Sequence, residues 1–433
     1  MKKHIVTTFV LLAALTSLSA EGSVDFSGCV ETSWGASAPW TEENMAGRFT
    51  LGTTTFTGTV DAYFDNSSAY AQGAFTYDAI NNSFDMSLKE LWLDYTSSFW
   101  GIRIGRQKTS WGKADGIDIT NVICPSNMES FAAMTSDDSK LAVDAIRFSL
   151  TGNQFMLDAF WIPFFTPASL PLSEGNSLRK YLVPESVYIP AFGTSLPVSL
   201  NRIEKPELAI WNGEYGLKAS GYFSALDVSL YGFYGWDDTP LLKYELQGTY
   251  PSYTGIAISG KYERMAMIGA DAALPIGETV LRLETAFFPQ RHFQKSAEEI
   301  LQNSSEISEQ RNQLSALAGL DWMPSGWTIT AQYYCDAVFG DIDTLERKDT
   351  YQHGATVSIS KTLVNDTLEL SLAAVIGLND FDSMICPSVT YSLSDQISVG
   401  ASAFIFLPGP ENDGNYGAYK DLSTVCINAK FSF

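Results

Sequence analysis

Apolar and polar residues alternate with period two along nearly the whole chain. In "GWTITAQYYCDAV", Trp327, Ile329, Ala331 and Tyr333 share one face, and Thr328, Thr330, Gln332 and Tyr334 share the other. In "TVLRLETAFF", Leu281, Leu283, Thr285 and Phe287 oppose Arg282 and Glu284. The same alternation runs through "LDVSLYGFYGW" and "AIRFSL". Side chains of a strand point to opposite faces in turn, so this period predicts strands with one oily face. They fall near 24–34, 46–65, 69–79, 84–96, 100–111, 139–150, 153–164, 207–222, 226–236, 261–274, 278–289, 313–323, 327–338, 351–362, 366–377, 382–392, 396–406 and 420–433. That is about eighteen, with sixteen as the alternative count.

The connections alternate between two kinds. Tight ones read Thr151-Gly152-Asn153, Pro275-Ile276-Gly277, Pro324-Ser325-Gly326, Val364-Asn365-Asp366 and Ser394-Asp395. Long ones include 112–138, 165–206, 237–260, 290–312, 339–350 and 407–419, and a helix-like insert at 296–314 belongs in a loop. Short turns on one rim and long loops on the other describe an all-β, antiparallel, up-and-down transmembrane barrel with short periplasmic turns and long extracellular loops. The closing "STVCINAKFSF" fits it: Phe431 and Phe433 face lipid as part of an aromatic girdle, while Asn428 and Lys430 face a wet interior. The alternative, an edge strand of a soluble sandwich, would leave a large greasy surface in water. A terminal aromatic also resembles the signal read by barrel-assembly machinery, which makes that machinery an expected partner through Phe433.

Composition adds the compartment. Lys2 and Lys3, then "IVTTFVLLAAL", then "SLSA" read as a secretory signal peptide over 1–20, leaving 21–433 as the barrel. Loss of the two lysines takes the net charge from −22 to −24. An acidic surface argues against nucleic acid. Five cysteines without a CxxC pair give no zinc or redox motif. No cofactor or metal is implied. Outer-membrane lipids and small solutes are the remaining expected partners, and the outer membrane of a diderm bacterium is the expected location.

The inward phases carry the candidate chemistry. Arg103, Arg147, Asp158, Glu214, Lys218, Arg282 and Glu284 all point into the lumen. Guanidinium groups in such a place need acid or carbonyl partners, so these side chains form an ion-pair ladder, a charged constriction, or both. Phe160, Phe164, Tyr231 and Phe233 also face inward. They make either an apolar ledge for an oily cargo or a seat for an inward-folded loop, for which 165–206 is the candidate. Cys29 and Cys426 lie inward on the first and last strands, which suggests a disulfide across the seam. His292 and His353 are the histidines left after the signal, and no strand offers a Ser–His pair by phase, so an enzyme is not expected.

The stretch "IRIGRQKTSWGKADGIDITNVICP" (102–125) stands apart. Arg106, Gln107 and Trp111 are expected at the outer rim, with Asp115, Gly116 and Asp118 in the following loop. Two carboxylates there fall short of the six to eight oxygens that calcium takes. This stretch resembles the "GRQ…WGxADG" segment of a porin-like family of bacterial outer-membrane proteins catalogued as a domain of unknown function. "LDAFWIPFFTPASLP" and "NGEYGLKASGYFSALDVSLYGFYGWDDTP" look like two further segments of it, in order. The departure is "VICP" where the family tends to have "INP". The resemblance implies an outer-membrane barrel and traffic in hydrophobic compounds. The expected function is a channel or transporter for small solutes, narrowed by the inward Arg and acid residues and a long loop. The alternatives are a surface binding or adhesion barrel and an exporter of hydrophobic, lipid-like compounds.

Overall fold

A computed structural model describes residues 22–42, 45–136, 138–189, 193–249, 252–303, 306–411 and 414–433. The expected signal peptide lies outside them. Eighteen antiparallel strands form one closed wall. They are β1 (Gly22–Ser37), β2 (Phe49–Phe64), β3 (Ser67–Asp78), β4 (Ser83–Thr96), β5 (Trp100–Gln107), β6 (Val143–Thr151), β7 (Phe155–Ile162), β10 (Glu214–Phe223), β11 (Leu226–Trp236), β14 (Arg264–Ile276), β15 (Thr279–Gln294), β16 (Ser308–Trp322), β17 (Trp327–Phe339), β18 (Tyr351–Leu363), β19 (Leu368–Gly377), β20 (Asp382–Ser392), β21 (Ile397–Leu407) and β22 (Thr424–Ser432). Each pairs with its neighbours in chain order, and β1 pairs with β22 to close the ring. The last residue completes the seam: the Phe433 N–H donates to the Gly28 carbonyl, and the Phe433 carbonyl accepts from the Gly28 N–H, both at 3.0 Å.

The wall turns its oily face outward. Leu93, Leu217, Leu230, Ile268, Leu283 and Ile427 are exposed, whereas their alternating neighbours Glu284, Tyr231 and Cys426 are buried. A face of this kind on a closed sheet matches hydrocarbon, not a protein core. Rings cluster on it near the short-turn rim, where Trp100 packs between Tyr95 and Phe148, and Phe433 packs against Phe56 and Phe431. Among the described residues no helix is long and apolar enough to cross a membrane, which says nothing against crossing by strands.

Four strands outside the wall correct the sequence reading, which left 165–206 and 237–260 as bare loops. They are β8 (Ser186–Ile189), β9 (Thr194–Glu204), β12 (Leu241–Thr249) and β13 (Ser252–Lys261), joined in the order β12-β13-β9-β8. β9 and β13 run parallel, so residues from two different loops make one sheet at the long-loop rim. The helix-like insert is α3 (Ala297–Asn303) alone, since Ser308 already belongs to β16. Two shorter helices, α1 (Phe131–Met134) and α2 (Arg179–Leu182), lie in the long loops.

The seam disulfide is not formed. Cys29 and Cys426 are both free. Cys426 stands opposite Gly35, and Cys29 stands opposite Ser432. Six residues of β1 separate the two levels, about 20 Å at ~3.4 Å per residue, far beyond disulfide reach. The tilt of the strands staggers the seam, and equal distance from a chain end does not mean equal height.

Candidate functional site: a segment folded into the barrel

The ladder of β5 ends at Gln107, and the chain then turns into the barrel. Gln107 is buried and donates to the Ala145 carbonyl at 3.0 Å. Gly112 has φ +87°, and a Cβ there would overlap the Glu284 carboxylate. Only glycine meets both demands at little cost. Trp111, expected at the rim, is instead buried inside. Its ring packs at 5.9 Å from Phe160 and 5.0 Å from Tyr231, and passes over Gly216, where a Cβ would come within 3.1 Å. Ile119, Ile123 and Cys124 bury beside it against Phe233, Met267 and Phe288 of the inner wall.

Polar anchors fix the segment. Glu284, buried on β15, accepts from the Lys113 amide at 2.6 Å and from the Ala114 amide at 2.8 Å. It also accepts from the Thr120 amide and hydroxyl, each at 2.8 Å. The carboxylate thus replaces its water with fixed donors from the segment itself, the arrangement in which a buried charge is tolerated. Gln332 on β17 grips the tip with both ends of its amide: Oε1 accepts from Asp115 N at 2.9 Å, and Nε2 donates to Asp115 O at 2.7 Å. Arg282 donates to the Lys113 carbonyl at 2.6 Å and pairs with Asp321. Both Glu284 and Gln332 lie near the middle of their strands, so the segment descends to mid-wall.

The other inward charges form short, local pairs. Arg103 contacts Asp94 at 2.9 Å and lies 3.8 Å over the Trp92 ring. Arg147, directly opposite Arg103, contacts Asp158 at 2.9 Å. Asp158 also accepts from Ser149 at 2.5 Å. Lys218 stands between Asp158 and Tyr231 in the register, its Nζ 5.5 Å from the Tyr231 ring. The Tyr231 hydroxyl donates to Asp271. Glu214 sits higher, at the start of β10, where it accepts from the Trp236 amide at 3.0 Å.

The remaining expectations divide. Arg106 does stay at the rim and reaches Asp144 at 3.2 Å. Asp118 is held by Lys140 at 2.5 Å and by Asn121 at 3.1 Å. Gly116 turns the tip with φ +70° and nothing near the position of a Cβ. Phe160, Tyr231 and Phe233 are buried together, but under 108–142 and not under 165–206. Phe164 lies past the end of β7, is half exposed and is outside that cluster. The aromatic ledge is therefore the seat of a loop.

Above this floor the loops lock to one another. The Asp238 carboxylate accepts from Ser126 N at 3.2 Å, and its carbonyl accepts from Ala168 N at 2.9 Å. Burial, and then the neighbouring Asp237, push the Asp238 carboxyl above its usual range. Burial works the same way on Asp237. The Arg291 guanidinium at 2.7 Å, with the Thr239 hydroxyl and amide, outweighs it and holds that carboxyl low. Burial drives the Cys124 thiol up to about 11. On the far side Phe131 of α1 packs 4.4 Å from Phe406 of β21, so the 108–142 connection touches both sides of the wall.

The family model described as "Protein of unknown function (DUF1302)" matches residues 58–424. The chain belongs to the DUF1302 family. No curated protein matches it. Among solved structures, OccAB1 of Acinetobacter baumannii aligns with TM-score 0.53 at 10% identity, over 96% of this chain and 98% of that one. OccAB2 of the same organism gives 0.51 at 9% identity, over 95% and 98%. The outer membrane channel DcaP of A. baumannii gives 0.45 at 10% identity over 96% and 99%, too loose a superposition to weigh. Identities this low speak for the fold, and the fold is that of bacterial outer-membrane barrels.

Glu284 and Arg282 of this DUF1302 chain were named from sequence phase, but several of their companions were not. Gln332, Asp321, Asp94 and Asp271 were legible only as inward-phase polar residues. Nothing local marks Gln332 as the partner of Asp115, which lies 217 residues away.

Proposed function

We propose that this DUF1302 protein is an outer-membrane channel for small polar solutes, with 108–142 narrowing its lumen. One observation carries this reading. The inserted segment occupies the inner wall from β6 to β17 and reaches β21 at the long-loop end through Phe131 on Phe406; nearer the short turns the inner wall from β18 round to β3 stays partly open to solvent and polar. Its inward positions include Ser358, Ser360, Ser371, Ser388, Ser398, Asn428, Ser33, Thr55, Thr57 and Thr59, with Glu31 and Lys430 facing each other across the seam. Hydroxyls at this density offer hydrogen bonds without strong charge, which suits passage more than tight binding. Charged groups border that space on one side: Asp61, Glu90, Asp94 and the Arg103–Arg147 pair favour solutes that can meet both signs.

The same reading covers the partners. Lipid meets the outward face, small solutes meet the hydroxyl wall, and Phe433, exposed at the seam, offers its ring to assembly machinery. Surface binding is a second reading. It draws on a polar cleft of about 780 Å³ lined by Lys243, Lys261, Glu263, His292, Gln310 and Arg311 beside the external sheet. Export of hydrophobic compounds loses its support, because Phe160, Tyr231 and Phe233 are already covered by Trp111 and its neighbours.

Swelling of proteoliposomes in neutral sugars of graded size tests the channel. Permeation with a sharp size limit is expected. Absence of swelling, both in the native protein and in a variant lacking 113–120, would favour an anchor for surface binding.

A further inference from the structure

One turn at the long-loop rim has no part in the lumen. The chain between β9 and β10 ends in a 3-10 turn, Ile210–Asn212, whose backbone is tied to the outside of the wall. Arg264, the first residue of β14, lies 5.1 Å over the Tyr234 ring and 4.1 Å over the Trp236 ring. Tyr234 and Trp236 alternate with the inward Phe233 and Gly235, so this stack is on the lipid side. The Arg264 guanidinium donates to the Gly213 carbonyl at 3.0 Å and to the Trp211 carbonyl at 3.3 Å. Trp236 Nε1 donates to the Asn212 carbonyl at 2.9 Å. Asn212 in turn closes the turn on the Glu207 carbonyl at 2.9 Å.

With three carbonyls held against the wall, the apolar side chains project away from it. Leu208 is 78% exposed, Trp211 71% and Ile210 68%. Leu208 and Trp211 are the two most exposed large apolar residues among those described. Tyr215 and Leu217 continue the same surface down β10. A rigid turn that lifts a tryptophan and two aliphatic residues off the wall, level with the upper edge of an oily band, has the chemistry of the membrane interface.

We infer that 207–212 is an interfacial anchor that dips into the lipid leaflet at the long-loop rim and fixes the height of the external sheet above it. The inference rests on the reading that the barrel spans a membrane. Lipid is the occupant and not a second copy of the chain. Three side chains offer roughly 500 Å², below the ~800 Å² per partner of a stable interface. The patch also merges with the lipid-facing wall.

Quenching of Trp211 tests it. The chain has ten tryptophans, and subtracting the emission of Trp211→Phe from that of the native protein isolates the one of interest. In phosphatidylcholine vesicles, lipid brominated near the headgroup should lower the difference signal about twofold, and aqueous acrylamide should barely affect it. Ile210→Asp should weaken the bromine effect. Strong acrylamide quenching with no bromine effect would overturn the anchor. So would a signal blind to both that changes with the protein-to-lipid ratio, the mark of a second copy. The other tryptophans, among them the outward Trp34, Trp322 and Trp327, report separately on whether the barrel is in the bilayer. If they quench and Trp211 does not, only the anchor falls.

Discussion

Thr120 donates both its amide and its hydroxyl to one oxygen of Glu284, each at 2.8 Å, across 164 residues of sequence. A loop residue and a wall residue are thereby joined inside the barrel, and the Lys113 and Ala114 amides fill the other oxygen of the same carboxylate.

Removing that acceptor should free the segment. Glu284→Ala leaves buried amides without a partner, at a cost of about 3 kcal/mol or more. The expected outcome is a fold that still closes, with a lower unfolding temperature in detergent and new protease cleavage within 108–123. Glu284→Gln should fall between the two, because an amide accepts more weakly than a carboxylate.

Gly112→Ala should act in the same direction by a different route. The added Cβ meets the Glu284 carboxylate, and the φ of +87° already disfavours an L side chain. A loss of about 1–3 kcal/mol is expected. Gly116→Ala, where space is open, should cost only the conformational part. Thermal unfolding of the two variants side by side checks this.

Acid should loosen the rim through Asp237. Its carboxyl is held low by Arg291 once burial is outweighed, so its stabilisation is full above the unfolded value near ~4 and is lost as pH falls through the lower folded one. Asp237→Asn should destabilise the fold at neutral pH by about 3 kcal/mol, as for a broken buried pair, and so lower the unfolding temperature. The gap to the native protein should close on acidification. Asp238 has the opposite sign: its charged form is disfavoured in the fold, so Asp238→Asn should cost little at neutral pH. Unfolding temperatures measured across the acid range distinguish the two.

Cysteine chemistry gives a separate check. Cys124 is buried, its thiol pushed up to about 11, and its Sγ accepts from the Thr109 amide at 3.2 Å. It should resist maleimide in the folded barrel and react after denaturation. Peptide mass spectrometry should also find no Cys29–Cys426 linkage.

The wall was legible because a membrane imposes one rule on every strand: oily residues out, others in, with period two. Strand ends were less so. The alternation through "GRQKTSW" suggested a strand to residue 111, but the ladder stops at Gln107 and the chain turns inward after it, so that Trp111 is already inside. The strands β8, β9, β12 and β13 were missed because they lie off the wall, in stretches set aside as loops, and Pro197 within β9 argues against a strand in sequence. The inserted segment escaped because its partners are distant in sequence, and phase alone shows that Glu284 points inward without showing what it meets.

Single-channel conductance in planar bilayers tests the central claim, that 108–142 narrows a lumen left open along the hydroxyl wall. The native protein should give small, uniform openings. The double variant Glu284→Ala and Gln332→Ala, which releases both mid-wall anchors, should give larger and noisier ones, about twofold or more. Equal conductance in the two proteins, with the segment shown to be released, would contradict the account.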